Sequence, residues 1–79
     1  MTKETKKLSW EDRATRFLKV EIKRADVSYL ELAERLKKHG LSETEASIAN
    51  KLSRGTFAAT FFIAALVALE VEGIRFEDI

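Results

Sequence analysis

Ser28 to Gly55, SYLELAERLKKHGLSETEASIANKLSRG, reads as two short helices joined by a tight turn. Ser28 with Glu31 and Ser42 with Glu45 both fit the S-x-x-E capping box, in which the serine accepts from a free backbone N–H and the glutamate reaches back. Leu32, Ala33 and Leu36 give the first helix an apolar stripe, and His39-Gly40-Leu41 reads as its stop, with Gly40 in the left-handed conformation and Leu41 folding back behind it. The spacing predicts helices over 29–38 and 43–53. Ile48, Ala49 and Leu52 are the core-facing side of the second, and Arg54-Gly55 is its end.

A helix, a glycine-containing turn of about 3–4 residues and a second helix form the layout of a helix-turn-helix. On the amino side, Ser9 offers an N-cap with Asp12 at N3, and Trp10, Ala14, Phe17, Leu18, Ile22 and Ala25 recur at helical spacing over 10–25. Glu21 falls within that stripe, so it lies at the stripe's open end or pairs with a base such as Arg24. Residues 1–8 form a polar, lysine-containing arm. On the carboxyl side, residues 57–71 are apolar nearly all round, as in a central core helix. Phe61, Phe62, Leu66 and Leu69 are its bulky side, and a second stripe, Phe57, Thr60, Ala64, Val67, Ala68 and Val71, is the expected dimer contact. Residues 73–79 alternate apolar and charged, as a short strand or a closing helical turn would. The fold expected is all-α: a compact four- or five-helix bundle with a helix-turn-helix, residues 9–79 forming one domain.

The composition narrows the chemistry. A chain of 79 residues buries only about 60–65% of its unfolded surface, so its core must be efficient. No cysteine and one histidine, His39, leave no disulfide framework and no ordinary zinc site, and no metal or cofactor is expected. The charged amino terminus lacks the apolar segment of a secretory signal, so a cytoplasmic protein is expected. The 13-residue apolar run Phe57–Leu69 falls short of the roughly 20 residues that span a bilayer, so no membrane partner is expected. Net charge is only +1, but residues 1–40 hold 11 Lys/Arg against 7 Asp/Glu, whereas 41–79 hold 3 against 6. An anion-binding face therefore draws on the first half. No Gly-rich phosphate loop, no H-E-x-x-H and no partnered nucleophile occur, so an enzyme is not expected.

On the second helix of the motif, Ser47, Asn50, Lys51 and Arg54 fall at i, i+3, i+4 and i+7, with Glu43 and Thr44 continuing the stripe. Asn can pair bidentately with adenine and Arg with guanine, while Ser, Thr and Lys hold phosphates. A solvated helix face has the same composition; placement in a helix-turn-helix favours the binding reading. Tyr29, in the first turn of the preceding helix, sets a hydroxyl beside a helix N-terminus where a phosphate binds, or else packs as a half-buried tyrosine. Lys3, Lys6, Lys7, Arg13 and Arg16 suit backbone contacts or simply solubilise the terminus.

From about residue 14 to 79 the chain resembles the Cro and phage-repressor-like helix-turn-helix domains of bacterial transcription regulators. The carrying residues are Ser28, Leu32 and Ala33, matching S-x-x-x-L-A, then Arg54-Gly55 and the apolar last helix. It is more similar still to a small group of uncharacterised bacterial domains with the run K-x-S-R-G-x-F, here Lys51 to Phe57. Lys37 stands where the former family has glycine, Tyr29 where it has glutamine, and Ile22 and Ser53 where many members pair arginine with glutamate. The resemblance implies a repressor-like homodimer that binds double-stranded DNA through its third helix. The alternative is a helical protein-interaction module, antitoxin-like or an adaptor, that binds a protein partner without DNA.

Overall fold

The computed structural model describes residues 8–79; Lys3, Lys6 and Lys7 of the arm lie outside the described residues. Four α-helices follow one another: α1 Trp10–Ala25, α2 Tyr29–Lys38, α3 Glu45–Arg54 and α4 Ala59–Ala68. A 3-10 turn, Phe76–Asp78, resolves the strand-or-helix alternative for the tail, and no strand occurs among the described residues. Arg75 donates to Glu77 there and holds its carboxyl below the usual carboxylate range.

α1 and α2 each pack on both α3 and α4. Leu18, Leu32, Leu36, Ile48 and Leu52 are sealed at the centre, and Phe61, Ala65, Leu66 and Leu69 close the core from α4. Phe62 is half-buried, its ring 6.2 Å from Phe17 and 6.0 Å from Phe57. Trp10, expected in the core stripe, is 73% exposed and lies instead under the Arg13 guanidinium at 4.2 Å. Ala49 is exposed as well, because Ile48 and Leu52 alone fill the narrow α3 contact.

The caps place the helix starts. Ser9 and Ser28 accept from the backbone N–H of Asp12 and Glu31, each at 3.1 Å. The Glu31 carboxylate accepts from Arg35 Nη2 at 3.0 Å, so it serves an i,i+4 ion pair rather than the return half of a capping box. α3 begins at Glu45, not at 43: Thr44, rather than Ser42, caps it in a reciprocal box with Ser47. The expected tight turn becomes a six-residue joint, 39–44. A cap contributes typically ~1 kcal/mol, against about 1.5–3 kcal/mol for each large apolar side chain buried, so the change of frame leaves Ile48 and Leu52 facing inward. α4 is shorter than the expected 57–71, because Phe57 precedes its N-cap Ala58 and Glu70 turns left-handed after it.

Three helices end by the same reversal. After α2, Gly40 (φ +85°) donates to Lys37 O and Leu41 to Leu36 O, the paired bonds of a Schellman motif. Asp26 with Val27 after α1 and Glu70 with Val71 after α4 repeat this pattern without glycine, at φ 59° and 63°. In each case the residue after the left-handed one, Val27, Leu41 or Val71, packs on the core.

Candidate nucleic-acid interface

Thr44, Ser47 and Lys51 are tied into the domain itself. Ser47 Oγ donates to Glu43 Oε1 at 2.6 Å and accepts from Thr44 N–H at 2.8 Å, while Thr44 Oγ1 accepts from Ser47 N–H at 3.0 Å. Lys51 Nζ lies 3.0 Å from the same Glu43 oxygen and 5.5 Å from the Phe61 ring centroid. The Glu43 side chain is 8% exposed and that of Lys51 28%. These groups form a partly buried polar knot that ties the segment before α3 to Lys51 in its last turn, beside Phe61 of α4.

Asn50 and Arg54, by contrast, are exposed one turn apart and make no side-chain hydrogen bond among the described residues. Beside them Ala46, Ala49 and Ser53 are exposed too, so the outward face of α3 is centred on small residues rather than on the Ser47–Lys51 side. Small side chains let a helix backbone approach a ligand closely. Tyr29 is half-buried against the core and, with Lys19, Ala49, Ser53 and Arg54, borders a cleft between α1, the start of α2 and the end of α3.

α1 continues that border. Arg16, Lys19 and Lys23 fall at i, i+3 and i+7, are exposed, and form no ion pair among the described residues; Asp12 and Val20 flank them. Other cations are engaged: Arg24 pairs with Glu21 at 3.2 Å, Arg13 donates to Ile79 O at 2.8 Å, and Arg35 donates to Ala68 O at 3.0 Å, binding α2 to the end of α4. The strip of Arg16, Lys19 and Lys23 was only partly legible, since Arg16 alone stood out near the amino end. Its signal is the i, i+3, i+7 recurrence of cations along α1, on the flank next to the Leu18 and Ile22 face.

Two close contacts hold α3 in position. Thr15 Oγ1 donates to Leu52 O at 3.2 Å, and Gly55 (φ +73°) closes α3 so near α1 that a Cβ there would stand 2.9 Å from Glu11 Cβ and 3.0 Å from Glu11 O. Among the expected dimer residues, Ala68 is buried in the domain's own core, Phe57, Ala64 and Val71 are half-buried against it, and only Thr60 and Val67 are exposed.

Residues 10–74 match the family model described as a domain of unknown function (DUF6471). The chain belongs to the DUF6471 family. The match covers all four helices of this DUF6471 domain, including the K-x-S-R-G-x-F run. No curated protein and no solved structure matches it. Among its described residues, no cluster of acidic or histidine side chains is arranged to hold a metal ion, and no helix is long and apolar enough to cross a membrane.

Proposed function

We propose that this domain is a sequence-specific reader of double-stranded DNA, a transcription regulator of the Cro and phage-repressor-like helix-turn-helix kind, with α3 laid in the major groove. The observation that carries the reading is the meeting of Lys19, Tyr29 and Arg54 around one cleft, with exposed Asn50 one turn before Arg54. Asn50 and Arg54 have the donor and acceptor patterns that read adenine and guanine edges. Ala46, Ala49 and Ser53 clear the approach, and Arg16, Lys19 and Lys23 supply sequence-independent phosphate contacts beside it. Thr44, Ser47 and Lys51 act in this reading by orienting α3 rather than by touching DNA. Exposed Glu45 in the first turn repels phosphate, which directs the contact toward the C-terminal half of α3.

Fluorescence anisotropy against the DNA upstream of the domain's own gene and against scrambled DNA, at two salt concentrations, tests this. Site-selective, salt-sensitive binding is expected. Asn50→Ala and Arg54→Ala should each cost about 1–3 kcal/mol on the selected site and leave scrambled binding nearly unchanged. Absence of selective binding would reject the reading. A protein-interaction module is the second reading, favoured by one observation: Ile63 and Val67 on α4 are 60% and 53% exposed.

A further inference from the structure

We propose that the outer face of α4 docks a second copy of this chain, the two α4 helices lying antiparallel about a two-fold axis between Ile63 and Ala64. This inference is independent of DNA binding. Thr60, Ile63 and Val67 lie at i, i+3 and i+7 on the solvent side of α4, and no charged residue occurs from Phe57 to Leu69. The face can therefore meet its own copy without opposing like charges. Residues 1–7 hold three lysines and one apolar side chain, Met1, and so provide no apolar stripe to cover it.

The helix ends select the orientation. α4 is the one α-helix of the four whose N-cap, Ala58, makes no side-chain cap, and its first turn has no acid; Ser9, Ser28 and Thr44 cap the others. Exposed Glu70 and Glu72 follow its C-terminus. A parallel pair would set the two uncapped N-termini side by side and crowd the four carboxylates together. Antiparallel packing places Thr60 opposite Val67 and Glu70 opposite Phe57, next to the free N–H groups that follow Ala58, where a helix N-terminus attracts negative charge. The contact is isologous and closes as a dimer. α4 has ten residues and is about 15 Å long, so the interface sits at or below the low end of the roughly 1,200–2,000 Å² of stable pairs. A concentration-dependent equilibrium is expected.

Sedimentation velocity of the full chain over a concentration series, from low micromolar to submillimolar, tests the proposal. The average mass should rise from monomer to dimer. Ile63→Glu should move the midpoint upward by at least about tenfold without changing the far-UV circular dichroism, because Ile63 is solvent-facing in the monomer. Ala58→Asp provides an internal cap and sets a carboxylate against the other copy's Glu70. It should therefore raise the monomer's thermal midpoint yet weaken association, a split that a purely structural role would not produce. A monomer throughout the series, or association indifferent to Ile63→Glu, overturns the proposal and leaves the face to a different protein. Association strengthened by Ala58→Asp overturns the antiparallel order.

Discussion

Replacing Gly55 with alanine separates two effects that glycine relieves together. Both Gly40 and Gly55 are left-handed, at φ +85° and +73°, but nothing lies within 4 Å of a Cβ built on Gly40, whereas one on Gly55 meets the Glu11 Cβ at 2.9 Å, the Glu11 carbonyl at 3.0 Å and Thr15 Oγ1 at 3.1 Å. The left-handed conformation costs an L-residue roughly 1–2 kcal/mol, offset by about 0.4–1 kcal/mol of lost freedom in the unfolded chain. Gly40→Ala should therefore destabilise by about 0–1.6 kcal/mol. Gly55→Ala carries the same conformational cost and adds about 1–3 kcal/mol of overpacking against α1. The Glu11 atoms belong to helix backbone and its first carbon, so they cannot swing aside as a side-chain tip would. Urea denaturation followed by circular dichroism reads both losses. In a domain this small each kcal/mol also lowers the thermal midpoint by about 4–8 °C. The difference between the two variants cancels the conformational and unfolded-state parts and isolates the crowding. Equal losses for the pair would refute the claim that Gly55 is required by the α1–α3 seam.

Lys51→Ala should cost about 1.5–3 kcal/mol, toward the lower figure because the lysine is partly exposed, since it leaves the Glu43 carboxylate with Ser47 alone. Adding Glu43→Gln should restore part of the loss in urea denaturation, and a strictly additive double variant would refute the coupling. If α1 lines the DNA backbone, Lys19→Ala and Lys23→Ala should each reduce the slope of log affinity against log salt by about 0.9. They should weaken selected and scrambled DNA alike in the anisotropy titration, and an unchanged slope would remove α1 from the interface.

Where apolar periodicity and a local cap agree, the helix bounds are legible in the sequence. Helices 10–25 and 29–38 have the expected bounds, and Gly40 with Leu41 makes the expected stop. Two overlapping capping frames obscured the start of α3: Ser42 with Glu45, and Thr44 with Ser47. Two hydroxyls can exchange both bonds within one short turn, and the later frame frees Glu43 to turn inward. The resulting Glu43–Lys51 pair spans eight residues, a separation that a continuous helix would keep apart, so no spacing rule reveals it. Asp26 and Glu70 were hidden for another reason: left-handed positions advertise themselves as glycine, and here the apolar residue behind each holds the conformation instead. Ser47 and Lys51 are half-buried although their polarity suggests a solvated stripe, because polarity marks exposure only on average. Ala46 and Ala49, which carry no polarity signal, occupy the outward face.

Val27, Leu41 and Val71 govern how the chain tolerates changes of length. Each packs on the core, Val27 within it and Leu41 and Val71 against its edge, and each makes the long hydrogen bond that reverses the helix before it, so adding or removing a residue at 26–27, 40–41 or 70–71 would break both at once. Among the described residues, spare length has room beside exposed Ser42 and in the exposed stretch from Glu72 to Arg75. Insertions and deletions among relatives should gather at those two places, and a fluorophore, epitope or additional module spliced into the second should leave the four-helix body folded.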